Sequence, residues 1–204
     1  MKRRFLAMIM ASTEKEQDLS VRTRTLEETP EQQLLCDQFV HGVEKEDGSL
    51  ERLEFHNEDK FNFAFDIVDG LARREPDKLA MVHVANDMTE RRFTFKDMKD
   101  ASSQAANYFT SLGVKRGDRV MLVLKRHYQF WFAILGLHKL GAIAIPATNQ
   151  LMEHDFTYRF KAAGVSAIVC TADGDTAHQV DIAEADAGMK LTKIMVGGSR
   201  DGWH

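Results

Sequence analysis

The segment best suited to bind an anion is Gly197-Gly198-Ser199-Arg200, in which two glycines and a hydroxyl precede a cation. Glycine-rich loops can hold phosphate groups because their backbone N–H groups approach the anion closely. A phosphate-binding loop of this kind continues with Lys-Ser or Lys-Thr and opens a helix, and neither feature follows here. Taken alone, the segment predicts a turn.

Histidines and serines offer no recognisable catalytic arrangement. His154 precedes Asp155 at a predicted helix start, where an acidic residue complements the helix dipole. His138 and His178 fall on predicted helices without a second ligand at metal-binding spacing, so we expect no metal site. Ser102-Ser103 lacks the GxSxG pattern of a nucleophile elbow. The residues by themselves therefore assign no catalytic group.

Three consecutive aromatic residues, Phe130, Trp131 and Phe132, lie in the most apolar stretch of the chain, residues 128–147. Consecutive positions point to different sides of a helix, so we expect core contacts rather than a surface on which nucleotide bases stack. The stretch contains Lys139 near its middle, which disfavours a membrane span. It predicts a buried helix that leads into a buried strand.

Composition restricts the class of partner and the compartment. The 204 residues carry a formal net charge of −4 and 44% hydrophobic residues, and the pI is about 6.1. Neither nucleic acid nor an anionic membrane is an expected partner, because both are bound by a basic surface. Cys36 and Cys170 form no CxxC motif, which favours a reducing compartment. We therefore expect a cytoplasmic protein that handles small molecules or proteins.

The elements that must position any site alternate between strands and helices from Phe61 onward. Apolar periodicity predicts a helix that closes before Pro76, and then a hairpin over residues 78–95. After it come strands at 119–124, 142–146, 166–170 and 193–196, separated by helices at 129–140, 155–163 and 178–187, with a further helix at 96–112 before the first strand. This order predicts a three-layer α/β fold, with a mostly parallel sheet flanked by helices and a leading β-hairpin.

Residues 1–60 differ from the rest in charge, with 9 basic and 14 acidic side chains. Leu34, Leu35, Phe39 and Val43 suit one short helix beginning at Pro30. A turn at Asp47-Gly48 followed by a strand is also expected. We interpret residues 1–60 as an acidic N-terminal extension, and residues 61–204 as the first part of an α/β domain.

Three motifs, in order, resemble the N-terminal region of AMP-forming acyl-CoA synthetases, which belong to the adenylate-forming superfamily. RFTFKDM (Arg92–Met98) resembles the strand-then-helix motif T-[YF]-x-[ED]-L. LGVKRGDRVMLVL (Leu112–Leu124) resembles LGV-x-x-GD-x-V. LHKLGAIAIPATNQL (Leu137–Leu151) resembles x-K-x-GA-x-x-x-P.

Two further segments, FNFAFDIVD (Phe61–Asp69) and VGGSRDGWH (Val196–His204), are similar to the subset that acts on short- and medium-chain acids, including acetyl-CoA synthetases. The resemblance covers residues from about 54 to 204. It implies the incomplete N-terminal domain of the adenylate-forming fold.

The resemblance implies a two-step ligase. A carboxylic acid reacts with ATP to form an acyl-adenylate, and the acyl group then passes to coenzyme A. ATP, Mg²⁺ and coenzyme A would serve the full-length enzyme, and we expect none to be tightly bound to this chain. The family's phosphate loop, ribose-binding aspartate and catalytic lysine all follow the stretch matched here, so no catalytic residue is assigned and the chain is expected to be an inactive fragment.

The resemblance does imply one wall of a coenzyme A site, at Thr148, Asn149 and Arg159. The loop that begins at Ala147 follows the carboxyl end of a predicted parallel strand, where α/β sheets place ligands, and Arg159 could reach a nucleotide phosphate. In acetyl-specific members the aligned loop and arginine lie near coenzyme A, but their two glycines are replaced here by Asn149 and Gln150. The alternative is a capped loop beside a surface arginine.

Two other interpretations remain open from the sequence. The chain could be a non-catalytic interaction or regulatory remnant of the same fold that acts through residues 1–60. It could also be an unrelated doubly wound nucleotide-binding domain, although Lys125-Arg126-His127 and not GxGxxG follows the first buried strand. An incomplete sheet would also expose apolar surface through which copies of the chain could self-associate.

Overall fold

The computed structural model of the chain describes residues 35–204, and the chain divides into two compact units after Glu58. In the first unit a 3₁₀ turn, Leu35–Gln38, precedes a hairpin of β1 (Val40–Glu44) and β2 (Leu50–Phe55). Gly48 supplies the positive φ of the connecting turn, and the Ser49 backbone N–H donates to the Asp47 carboxylate over 2.9 Å. The predicted turn and following strand are confirmed.

The predicted short helix from Pro30 is confirmed only in part, because Leu35–Gln38 forms a 3₁₀ turn but the helix does not continue to Val43. Its start lies outside the described residues, but Val43 belongs to strand β1 and pairs with Arg52 of β2. The apolar spacing that suggested a helix is satisfied instead by a hairpin, because a tight turn brings a β-forming partner strand within reach. The assignment of residues 1–60 as a separate extension stays a prediction.

The second unit opens with a helical segment and a second hairpin. A π-helical turn, Ala64–Val68, continues into α1 (Asp69–Arg74), and strands β3 (Leu79–Val84) and β4 (Glu90–Thr94) pair antiparallel. Helix α2 (Phe95–Ser111) begins directly after β4. Its start is fixed by Thr94, whose hydroxyl accepts from the Asp97 N–H while the Asp97 carboxylate accepts from the Thr94 N–H.

A four-stranded parallel sheet forms the centre of the second unit. Its strands are β5 (Arg119–Val123), β6 (Ile143–Pro146), β7 (Ala167–Thr171) and β8 (Thr192–Val196), in the spatial order β6-β5-β7-β8. Helices α3 (Gln129–Leu140), α4 (Glu153–Ala163) and α5 (Thr176–Ala187) connect them. The parallel register, Met121 with both Ile145 and Ile168, confirms the predicted α/β sheet.

Successive residues of β5 divide the core into two layers. Met121 and Val123 pack with Phe156 of α4 and Val180 of α5 on one face of the sheet. On the other face, a cluster joins the sheet to α2 and α3 through Val120, Leu122, Leu124, Phe109, Ala133 and Leu137. Helices therefore cover both faces of the sheet, as the three-layer prediction requires.

Strand β6 departs from the prediction that it is buried. It lies at the edge of the sheet with β5 as its paired neighbour, and the Ile143 side chain is 47% exposed. The apolar sequence of β6 resembles that of a central strand, but only the sheet order decides which strand lies outermost.

No helix within residues 35–204 combines the length and the apolar character needed to cross a bilayer.

Candidate functional site

The predicted coenzyme A residues lie on an exposed surface beside the carboxyl end of β6. Thr148 and Asn149 are exposed in the loop that follows Pro146, and the Thr148 hydroxyl accepts from the Gln150 N–H over 3.3 Å. The loop is tied to the sheet at its first residue, because the Ala147 N–H donates to the Leu122 carbonyl of β5 over 2.9 Å. The side chains of Thr148 and Asn149 are therefore accessible.

Arg159 is brought to the start of this loop by helix α4. A depression of about 250 Å³ has walls from both elements and is lined by Met121, Ile145, Pro146, Ala147, Tyr158, Arg159, Ala162 and Ala163. Within residues 35–204, the Arg159 guanidinium forms no ion pair, and it is exposed. A cation in this state can bind a phosphate without first breaking a salt bridge.

The depression joins only part of the predicted set. Arg159 and Ala147 line it, whereas Thr148 and Asn149 follow on the exposed loop outside its lining. Apolar side chains form most of the wall and one guanidinium supplies the charge. This composition fits an organic phosphate that has an apolar portion. The coenzyme A site at Thr148, Asn149 and Arg159 stays a proposal.

The glycine-rich segment after β8 is a turn packed against the end of β7. A Cβ on Gly198 would lie 2.5 Å from the Cβ of Ala172, so the close approach of the two chains requires glycine there. The Arg200 Nε donates to the Asp181 Oδ2 over 2.7 Å, which occupies its charge. The sequence prediction of a turn is confirmed.

Asp155 and Ser102, two residues of the candidate arrangements, have structural roles. The Asp155 carboxylate accepts from the Met152 N–H at the start of α4, which confirms its predicted place at the helix terminus. The Ser102 hydroxyl is buried and donates to the Lys99 carbonyl within α2. Among residues 35–204, no three His, Cys, Asp or Glu side chains are grouped to hold a metal ion.

Sequence reasoning missed a charged cluster at the carboxyl ends of β5 and β7. Lys125 follows β5, and its Nζ donates to the Asp173 carboxylate and to the Asp173 carbonyl, the latter over 3.2 Å. The hydrogen bond from Lys125 lowers the pKa of Asp173 to about 2. The signal available in the sequence was the Lys125-Arg126-His127 run directly after a buried strand.

The expectation that all three consecutive aromatics belong to the core is wrong for Trp131. Its side chain is 50% exposed, whereas Phe130 and Phe132 are half-buried. Adjacent positions on a helix differ in direction by about 100°, so a run of three cannot face one core. Trp131 instead lies beside the cleft that contains Lys125.

The family model of the AMP-binding enzyme matches residues 68–202. Acyl-coenzyme A synthetase ACSM5, mitochondrial, of Rattus norvegicus is 36% identical over 150 residues, which are 70% of this chain and 26% of that protein. Acyl-coenzyme A synthetase ACSM2A, mitochondrial, of Homo sapiens is 34% identical over 152 residues, with 71% and 26% covered. The chain thus spans about a quarter of the length of these relatives.

Solved structures agree with this result. The Mycobacterium tuberculosis fatty acyl CoA synthetase superposes with a TM-score of 0.57 at 25% identity, covering 67% of this chain and 26% of that one. A luciferase-like enzyme from the mealworm Zophobas morio gives a TM-score of 0.62 at 16% identity, covering 74% and 34%. The second likeness supports the fold alone.

The prediction of a cytoplasmic location is contradicted by these relatives, which are named as mitochondrial proteins. The prediction rested on the absence of a disulfide framework. Low cysteine usage favours a reducing compartment but does not distinguish one reducing compartment from another.

Proposed function

This chain belongs to the AMP-binding enzyme family, and we propose that it supplies the first part of the adenylate-forming domain of an AMP-forming acyl-CoA synthetase. In the proposed reaction, a carboxylate attacks the α-phosphate of ATP, pyrophosphate leaves, and the acyl group is transferred from AMP to the thiol of coenzyme A. The match over residues 68–202 carries this proposal. The matched residues cover only 26% of the rat ACSM5 protein, which fits a role as one portion of the enzyme.

The role proposed for this chain within that reaction is to bind the nucleotide part of coenzyme A. The Arg159 guanidinium would pair with a phosphate, and the exposed Thr148 and Asn149 would donate hydrogen bonds from the loop after β6. Support comes from the shared depression of Arg159 and Ala147 and from the lack of an ion-pair partner for Arg159 within the described residues. Mg²⁺ and ATP would be held by residues outside the matched stretch.

A chimera tests this role. Residues 54–204 would replace the aligned segment of the rat ACSM5 protein, and acid-dependent formation of acyl-CoA would be measured. We expect an active chimera in which Arg159→Ala raises the KM for coenzyme A about tenfold, because a charge-assisted contact to phosphate is lost, with little change in kcat. The control is Lys161→Ala, which removes one positive charge from the same helix.

Two results would contradict the proposal. A chimera that unfolds cooperatively but forms no acyl-CoA would count against the enzyme assignment. An active chimera in which Arg159→Ala and Lys161→Ala behave alike would count against the coenzyme A site only.

We also propose a short- or medium-chain carboxylic acid as the substrate. The support is the similarity of FNFAFDIVD (Phe61–Asp69) and VGGSRDGWH (Val196–His204) to the subset that uses such acids. The active chimera would be assayed with acids from acetate to octanoate, beside palmitate. A clear preference for palmitate would refute this assignment.

Location and self-association are the remaining parts of the proposal. The relatives' names favour mitochondria, which subcellular fractionation of the tagged chain would test.

Copies of the chain could associate through the open edge of β6, where Ile143 is exposed. Light scattering would then give a mass above 23.2 kDa, and Ile143→Lys would return the monomer.

A further inference from the structure

The carboxyl ends of β5 and β7 form a topological switch point. These strands are neighbours in the sheet, but the helices that follow them lie on opposite faces, with α3 contributing to one core layer and α5 to the other. Loops that leave adjacent parallel strands in opposite directions open a crevice between them, and such crevices are where open α/β sheets bind ligands.

An open cleft of about 400 Å³ lies beside this switch point, between the segment that follows β5 and the hairpin strand β3, and its lining includes no residue of β7. One wall is formed by four consecutive residues of the hairpin strand β3, and the other by the segment after β5 and the first turns of α3. None of the lining residues is acidic, and they are Met81, Val82, His83, Val84, Lys125, Arg126, His127, Phe130 and Trp131.

The charge of the cleft is positive. Lys125 is neutralised by its bond to Asp173, but the Arg126 guanidinium is exposed and forms no ion pair within residues 35–204. The His127 Nε2 lies 3.8 Å from the Asp173 Oδ1. Lys125 also adopts a left-handed backbone conformation, with φ +49°, and strain of this kind is concentrated at functional sites.

The cleft also offers a planar apolar surface. The exposed Trp131 indole can stack on a flat ring. The His83 ring packs edge-on against Tyr128 at 5.2 Å, and its buried Nδ1 has no hydrogen-bond partner in the described part of the chain.

We propose that this cleft binds a phosphorylated small molecule with a planar ring. The phosphate would lie against Arg126 and His127, with Lys125 beside them, and the ring would stack on Trp131. No lining residue is shared with the depression at Arg159, so the inference describes a second site and does not rest on the proposed function.

Fluorescence provides the test, because the chain has two tryptophans and Trp203→Phe leaves Trp131 as the reporter. AMP, adenosine and inorganic phosphate would be the probes. We expect AMP to quench Trp131 emission saturably and to bind at least tenfold more tightly than adenosine or phosphate. Arg126→Ala should weaken AMP binding about tenfold, whereas Lys115→Ala, which removes the same charge at the amino end of β5, should not.

Calorimetry on the chain with both tryptophans would repeat the AMP titration without depending on the Trp203→Phe variant. In addition, Lys161→Ala, at a residue outside the lining of this cleft, should leave AMP binding unchanged. Absence of AMP binding by calorimetry would overturn the proposal. So would equal affinity for AMP and phosphate, which would indicate an adventitious ion only, or an equal loss in Arg126→Ala and Lys115→Ala.

Discussion

The Lys139 Nζ lies 2.9 Å from the Asp69 Oδ1, and the two side chains are only 5% and 7% exposed. Lys139 also donates to the Lys99 carbonyl over 3.2 Å and to the Ser103 hydroxyl over 3.0 Å, and its ammonium lies 5.6 Å from the centre of the Phe65 ring. This lysine belongs to the K-x-G-A motif of the sequence. Its contacts identify a structural role, in which it joins α3 to α1 and α2.

Lys139→Met should destabilise the second unit by about 3–5 kcal/mol, because it leaves the Asp69 carboxylate buried without its counter-ion. Urea unfolding measures this loss. The double variant Lys139→Met with Asp69→Leu should recover most of it, since neither partner is then charged. Lys96→Met, which breaks an exposed pair with Asp100, is the control and should change little. A double variant as unstable as the single one would contradict this account.

Gly136→Ala should also destabilise the protein, by about 1–3 kcal/mol. A Cβ at this position of α3 would lie 3.0 Å from the Ser102 carbonyl oxygen and 3.0 Å from the Ala106 nitrogen of α2. Both are backbone atoms and cannot rotate away. At an exposed helical glycine the same substitution would stabilise the protein, because alanine is the better helix former. A midpoint of thermal unfolding that rises would therefore refute this close approach.

The two cysteine thiols should react at very different rates. Burial raises the pKa of Cys170 to about 12, so almost no thiolate is present near neutral pH. Cys36 is only half-buried, and its pKa is raised by burial and then by Asp37. At pH 8 we expect one thiol per chain to react rapidly with a disulfide reagent, and the second to react only after unfolding. The rapid reaction should be lost in Cys36→Ser. Rapid labelling of Cys170 in the folded chain would show that its strand is open.

Lys125→Met should raise the pKa of Asp173 from about 2 toward its ordinary 3.8. A carboxyl group whose folded pKa is lowered stabilises the protein above its unfolded pKa and loses that effect as the pH falls through the folded value. The variant should therefore lose less stability between about pH 4 and pH 2 than the parent chain. Carbon-13 NMR of the Asp173 carboxyl measures the shift, with Lys115→Met as the control. An unchanged titration would mean that Lys125 does not bind Asp173 in solution.

The 204-residue chain alone should release no pyrophosphate from ATP in the presence of Mg²⁺ and acids from acetate to octanoate. The family resemblance places the phosphate loop, the ribose-binding carboxylate and the catalytic lysine outside these residues, and the loss of even one such electrostatic group costs about 10²–10³ in rate. The rat ACSM5 protein would serve as the positive control. Acid-dependent release that persists through repeated purification would contradict this prediction.

Helices and buried strands of the second unit were predictable because their signals are local. Helix α3 begins at Gln129 and ends at Leu140, as its apolar run and Gly141 indicate, and β5 follows from five consecutive residues rich in valine and leucine. Such patterns report only which residues avoid water. They could not show that β6 lies at the sheet edge or that Val43 joins a strand, since both depend on which segment pairs alongside.

The sequence by itself determined the class of protein. Its ordered motifs identified the acyl-CoA synthetase resemblance, and its periodicity determined the α/β layers. Tertiary structure decided which charges are free. Arg159 is exposed without an ion-pair partner among the described residues, whereas Arg200, Lys125 and Lys139 are bound to carboxylates far away in the chain. The physical reason is that an ion pair forms between atoms within about 4 Å, and folding alone brings residues so distant in sequence within that range.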